Sequence, residues 1–158
     1  MARRRVIFHI DVNSAFLSWT AIRLMQDGMS DIRLVPSVVS GDPSDRRSII
    51  TAASIPAKRL GIKTADPVSM ALRKCPGLII VKGDWEWYRI CSRGFIEICR
   101  SYSPVLQQFS IDECFIDMTM RNWGEDPTDV AARLKDEIKE KLGFTVNVGI
   151  GPNKLLAK

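Results

Sequence analysis

The chain has 158 residues, 46% of them hydrophobic and 26% charged, with a formal net charge of +5 at neutral pH, enough apolar content to bury a core in one domain or in a domain carrying a sub-domain. No stretch is long and apolar enough to span a membrane, and the Met-Ala-Arg-Arg-Arg start lacks the apolar run of a signal peptide, so the expected setting is cytoplasmic, with no membrane partner. Cys75, Cys91, Cys99 and Cys114 form no Cys-x-x-Cys pair, which argues against a zinc site or a disulfide framework and for reduced thiols in or near the core.

Val6 to Val12 reads as the first strand. Val6, Phe8 and Ile10 alternate with Ile7, His9 and Asp11, and both faces are largely apolar, the pattern of a central strand packed on both sides. Asp11, a carboxylate at the end of such a strand, needs a partner. His9, the single histidine, is read as a strand-packing residue, because Mg²⁺ does not seek imidazole. Asn13 is a good N-cap for a helix over Ser14 to Gln26, with Leu17, Ala21, Leu24 and Met25 at helical spacing and Gly28 as its stop. The free backbone N–H groups at such a start suit phosphate oxygens. On pattern alone Phe16 is a core aromatic of this helix.

Ile32 to Val39 reads as a strand, Gly41 to Asp45 as a turn-rich loop and Arg47 to Ala53 as another strand. Ile55 to Lys63 follows as a short helix with Pro56 in its first turn and Gly61 at its end. A second short helix over Pro67 to Pro76 precedes Leu78-Ile79-Ile80-Val81, an apolar strand expected to return to the main sheet. Between Val12 and Ile79 nine Lys or Arg stand against five Asp, a net +4. That surface suits a nucleoside triphosphate and a template, or is simply a solvated face. Tyr88, Cys91, Phe95, Ile98, Cys99 and Tyr102 mark one stripe of an amphipathic helix. Trp85 and Trp87 before it fit a lid over the sheet edge, with base stacking as the alternative.

Pro104 to Thr119 is the stretch the other elements serve. Two short runs, Val105 to Ile111 and Cys114 to Met118, have only Asp112-Glu113 between them, which predicts a hairpin with two adjacent acids at its tip. Neighbouring carboxylates raise each other's pKa, so such a tip is costly unless a cation sits against it; a solvated acidic turn is the plainer outcome. If the first strand lies beside this hairpin, Asp11, Asp112 and Glu113 converge into an oxygen-only cluster suited to Mg²⁺. Three acids around two metal ions make a phosphoryl-transfer site. Asp126-Pro127-Thr128 then starts a helix that buries Val130, Ala131, Leu134, Ile138 and Leu142 and stops at Gly143. Phe144 to Ile150 is a half-polar strand, and a last helix begins at Asn153. This order fits an α+β fold: a ferredoxin-like antiparallel sheet with two helices on one face, carrying a small inserted α/β sub-domain.

His-Ile-Asp-Val-Asn-Ser-Ala-Phe at 9–16, Ser-Ile-Asp-Glu-Cys-Phe-Ile-Asp at 110–117 and Val-Gly-Ile-Gly-Pro-Asn-Lys-Leu-Leu-Ala-Lys at 148–158 resemble, in order and spacing, the catalytic part of Y-family (translesion) DNA polymerases of the bacterial polymerase IV/V type. The resemblance covers nearly the whole chain. It implies a ferredoxin-like palm from residues 1–14 and 80–158, a fingers insertion at 15–79, and a thumb and little finger beyond this chain. It also implies template-directed DNA synthesis past damage, in which a primer 3′-OH attacks the α-phosphate of a dNTP. Two Mg²⁺ ions, with Mn²⁺ as substitute, are implied at Asp11 and Asp112, with Glu113 on the primer-side ion and the Val12 backbone carbonyl assisting. Backbone amides near Ser14, Ala15 and Phe16 are implied to contact the triphosphate. By the same resemblance Phe16 is the steric gate that collides with a ribose 2′-OH, and Lys58 and Lys158 reach the triphosphate. Lys158, as the last residue, is expected to fray. Implied partners are primer-template DNA, dNTP and a replication sliding clamp, the last through regions outside this chain.

The chain departs from the family at Ile55-Pro56-Ala57-Lys58, where many members carry Tyr-Glu-Ala-Arg, and at Ala52, where a hydroxyl residue is frequent. Lys58 supplies a point charge rather than the fork of Arg, and Ile55 has no hydroxyl to donate, so nucleotide contact is expected to be weaker. Two readings compete with the polymerase. A non-catalytic accessory relative that binds DNA or polymerase partners would be expected to have lost the acids. A nucleotidyl cyclase shares the palm and acidic hairpin but leaves the basic insertion and the Ser-Ala-Phe helix start unexplained.

Overall fold

The computed structural model describes residues 5–120 and 124–158; the basic start before Arg5 lies outside them. In chain order the elements are β1 (Ile7–Val12), α1 (Ala15–Gln26), β2 (Ser37–Ser40), β3 (Ile50–Ala53), α2 (Ile55–Arg59), α3 (Val68–Lys74), β4 (Ile79–Lys82), α4 (Trp85–Tyr102), β5 (Leu106–Gln108), β6 (Glu113–Asp117), α5 (Pro127–Leu142), β7 (Val146–Gly151) and α6 (Lys154–Ala157). They form two compact units, one of residues up to Asn13 with Arg89–Lys158 and one of Ser14–Tyr88. No helix among the described residues is long and apolar enough to cross a membrane.

The first unit is built on a four-stranded sheet in the order β5-β6-β1-β7, antiparallel at every pair. β1 is central, as its two apolar faces require. Side chains alternate along a strand, so Phe8 and Ile10 share one face with their partners Ile116 and Cys114, all fully buried. The Cys114 thiol and burial together hold the α4 thiol of Cys99 well above its ordinary pKa. α5 lies beside α4, joined by the Tyr102 hydroxyl donating to Glu137 at 2.6 Å. The other face carries Ile7, His9, Asp11, Glu113 and Phe115. Here α6 settles, with Ala157 buried against Ile7 and Phe115. Opposite, β7 offers glycine: a Cβ on Gly149 would stand 1.8 Å from the Ala157 carbonyl oxygen, and one on Gly151 2.6 Å from the Ala157 nitrogen. Only residues without a side chain let two backbones approach this closely.

The smaller unit has a three-stranded sheet in the order β3-β2-β4. The strand at 78–81, expected in the main sheet, pairs instead in parallel with β2, from Ser37 opposite Ile79 to Ser40 opposite Lys82. Val38, Ile50, Ala53, Ala57, Ile62, Val68, Ala71 and Leu78 form its core. The strand expected from Ile32 also differs, because Ile32–Leu34 is a single 3₁₀ turn. Asp31 accepts the Arg33 backbone N–H at 2.9 Å and clamps its guanidinium, and a side chain that satisfies nearby backbone in this way competes with a sheet ladder. Ser14, not Asn13, occupies the N-cap of α1, at φ 46° and without a side-chain capping bond. Asn13 is drawn off by Thr145, to which its amide nitrogen and its backbone N–H both donate.

Candidate metal centre

The hairpin is longer at its turn than its sequence suggests. β5 ends at Gln108 and β6 begins at Glu113, and the N–H groups of Phe109 and Ser110 both donate to the Glu113 carbonyl, at 3.0 and 3.1 Å. Asp112 is therefore a turn residue and Glu113 the first residue of a strand. Their carboxylates do not share a tip. Register then does the assembling: Asp11 lies directly opposite Glu113, and His9 projects from the same face two residues earlier. His9, Asp11 and Glu113 each present one potential ligand atom, all within 4.8 Å of one another. Asp112 adjoins this group through the backbone, its carbonyl accepting the Val12 N–H at 2.9 Å. Its side chain accepts from the Ser110 hydroxyl at 2.7 Å.

The two strand acids feel opposite fields. Asp11 is held above its ordinary 3.8, first by burial and then by the charges of Asp112 and Glu113, with His9 and Lys158 opposing. For Glu113 burial pushes the pKa up, but hydrogen bonds and charge from Lys158 and His9 outweigh it and bring the pKa below the usual 4.5. Both bonds end on Glu113 Oε1, from His9 Nε2 at 2.6 Å and Lys158 Nζ at 2.5 Å. Lys158 has a second contact as well, its ammonium lying 4.6 Å from the centre of the Phe109 ring. One turn earlier, Lys154 lies over Phe115 and donates to Gln107. Sequence reading assigned His9 to packing and missed its bond to Glu113. The signal available was its position two residues before Asp11, on the same side of the strand.

A stability effect follows from Asp11. A carboxyl whose pKa is raised on folding adds stability below pH 3.8 that is lost as pH rises through its folded value. In EDTA at pH 7, Asp11→Asn is therefore expected to raise Tm, at roughly 2–4 °C for each 1 kcal/mol in a chain of this size, and the gain should vanish below pH 3.8. Thermal melts of both proteins across pH check this; an unchanged or lower Tm for Asp11→Asn at pH 7 contradicts it.

Other expected site residues belong to the smaller unit. Ser14 is exposed, Ala15 is buried at the first position of α1, and Phe16 is half-buried. The Phe16 ring stacks on Tyr88 with centroids 5.0 Å apart and 25° between planes, and meets Trp85 edge-on at 5.2 Å. Tyr88 is itself pinned by a 2.6 Å hydroxyl contact with Thr20. Phe16 is thus one wall of an aromatic cluster with part of its surface free. Trp87 is clamped onto α1, its indole N–H donating to the Trp19 carbonyl at 2.7 Å with Arg23 above its ring. Lys58 and Ile55 on α2 are exposed, whereas Ala52 packs in the core with Leu17, Ala21, Ile32 and Val39.

The profile of the impB/mucB/samB family matches residues 10–158. Over 155 residues the chain is 44% identical to DNA polymerase IV of Clostridium acetobutylicum, covering 98% of this chain and 39% of that protein. It is 36% identical to DNA polymerase IV of Alkaliphilus oremlandii, covering 97% and 37%. Among solved structures it is similar to DinB from Sulfolobus solfataricus, with TM-score 0.82 and 27% identity over 96% of this chain and 43% of that one. The insertion ternary complex of Dbh DNA polymerase gives TM-score 0.82 and 26% identity, over 96% and 44%. The chain thus spans about two fifths of the length of these relatives.

Proposed function

The chain belongs to the impB/mucB/samB family, and from that premise we propose that it is the palm and fingers of a Y-family polymerase that copies DNA past damage by nucleotidyl transfer. The unit containing Asp11 is the palm and the unit of Ser14–Tyr88 the fingers. The observation that carries this reading is the pairing of Asp11 with Glu113 across β1 and β6, with Asp112 beside them in the turn. The donor set fits hard divalent cations, because carboxylate oxygens prefer Mg²⁺ or Mn²⁺. Asp11, Asp112, Glu113 and the Val12 carbonyl would hold two Mg²⁺ ions, with Mn²⁺ as substitute. Bound there, the ions supply the charge that lowers the pKa of a primer 3′-OH and neutralises the leaving pyrophosphate.

The protein's own groups do the rest. Glu113, with its lowered pKa, is ionised and ready for a cation, and Asp11, with its raised pKa, gains most from one. Amides at Ser14, Ala15 and Phe16 donate to phosphate oxygens. Lys58 and Lys158 add positive charge along the triphosphate. Phe16 presents its ring to the sugar. An accessory, non-catalytic role has less support, since all three acids are in place.

Primer extension by the protein that carries this chain, with Mg²⁺ and again with Mn²⁺, tests the proposal. Metal-dependent, template-directed incorporation of dNTP is expected; primer-template binding without any incorporation would favour the accessory role. For residues 1–158 alone, phosphate contacts set both affinity and its salt dependence, and only +4 lies between Val12 and Ile79. Titration with primer-template DNA should give a Kd of about 10⁻⁴ to 10⁻⁶ M at physiological salt, weakening steeply as salt rises, with very low extension. Tight binding that barely responds to salt contradicts this.

A further inference from the structure

Two donors converge on one oxygen of Glu113 and leave the other alone. His9 Nε2 and Lys158 Nζ both lie within 2.6 Å of Oε1, while Oε2 takes no hydrogen bond among the described residues. An ionised carboxylate only accepts, so the short contact fixes the hydrogen on His9 Nε2. That nitrogen is then a donor, not a lone pair aimed at a cation. The two donors differ in how firmly they are mounted. Lys158 follows α6, whose one buried side chain is Ala157, and its side chain is half exposed. His9 sits in the central strand, 8% exposed, with its ring 4.8 Å from that of Phe115, and it shares a strand face with Asp11.

We infer that His9 is a positioning residue of the metal centre, its Nε2–H holding Glu113 Oε1 and so presenting Oε2 for coordination. This rests on the reading of Asp11, Asp112 and Glu113 as cation ligands. Hydrogen-bond partners behind metal ligands fix ligand orientation, and their loss costs about 10- to 100-fold in metal affinity. The alternative, in which His9 is merely a nearby positive group competing with the metal, predicts the opposite sign.

The test is Mn²⁺ titration of the chain without DNA or nucleotide, reading free Mn²⁺ by electron paramagnetic resonance, with thermal melts in EDTA alongside. His9→Phe keeps an aromatic ring against Phe115 but loses the donor, and Mn²⁺ affinity should fall about 10- to 100-fold. His9→Gln can still donate an amide N–H to Oε1 and should recover most of it. Lys158→Met, which removes a competing cation and leaves His9 in place, should bind Mn²⁺ at least as tightly as the parent. The inference is overturned if His9→Phe binds like the parent or more tightly, if His9→Gln is as weak as His9→Phe, or if the loss tracks a fall in the metal-free Tm. A parent chain that binds no Mn²⁺, or one whose affinity is indifferent to Asp11→Ala, overturns the cation-site reading itself. Normal parent binding with indifferent His9 variants defeats only the role given to His9.

Discussion

Asp112→Ala is expected to abolish metal-dependent primer extension and leave the protein folded. The backbone of Asp112 does the structural work at the turn, its carbonyl accepting the Val12 N–H, and alanine preserves that bond. Among the described residues its half-buried side chain accepts only from the Ser110 hydroxyl, so little packing is lost. Its charge, meanwhile, adds to burial in pushing the Asp11 pKa up, and removing it relieves the metal-free fold. For catalysis the loss is of another order: one of the three carboxylates that would hold the cations is gone, and kcat/KM should fall by roughly 10³-fold or more, about 4 kcal/mol of transition-state stabilisation. Kinetics and melting curves together check it. An Asp112→Ala enzyme with ordinary activity would sink the mechanism.

Phe16→Ala is expected to admit ribonucleotides. The ring is held from behind by Tyr88 and Trp85, so it cannot swing away from a sugar set against its free surface, and a 2′-OH there meets carbon with no room to move. Removing the ring removes the obstacle. The ratio of rNTP to dNTP incorporation should rise on the order of 10- to 100-fold, about 1.4–2.7 kcal/mol of relaxed discrimination. Burying a full phenyl ring is worth about 3–5 kcal/mol to the fold when it is lost to alanine; Phe16 is only half-buried, so the variant should melt lower but remain folded. Single-nucleotide incorporation with matched dCTP and rCTP against template G measures the effect. An unchanged ratio would return Phe16 to simple core packing.

The parts of the fold legible in the sequence were those written in local pattern. β1, α1, α5 and β7 carry long periodic runs and clear stop signals, and the acids could be named because their spacing around apolar strands is unusual. What escaped was set by non-local partners. An apolar run such as Leu78 to Val81 carries no mark of which sheet it joins, since parallel pairing with β2 is decided by tertiary contact. The turn at Ile32 came from a local competitor, the Asp31 carboxylate, which reads as an ordinary loop residue. Asp112 and Glu113 look equivalent side by side, and only the bonds of Phe109 and Ser110 to the Glu113 carbonyl divide them into turn and strand. The role of His9 depends on a residue 104 positions away.

The glycines opposite Ala157 have a consequence for how residues 1–158 breathe when studied alone. Within α6, Leu155 is 91% and Leu156 69% exposed, and Ala157 is the one buried side chain. It docks by backbone proximity rather than by buried apolar area. In residues 1–158 taken alone, an element anchored so lightly opens at a small fraction of the global unfolding free energy. Amide hydrogen exchange should show Ala157 and Lys158 among the fastest of the ordered amides and Phe8 and Ile10 of β1 among the slowest. Every such opening lifts a lysine off Glu113 while His9 keeps its own bond to Oε1 and the sheet beneath stays closed, so the local exchange rate at Lys158 times how often that carboxylate is free of its neighbouring ammonium.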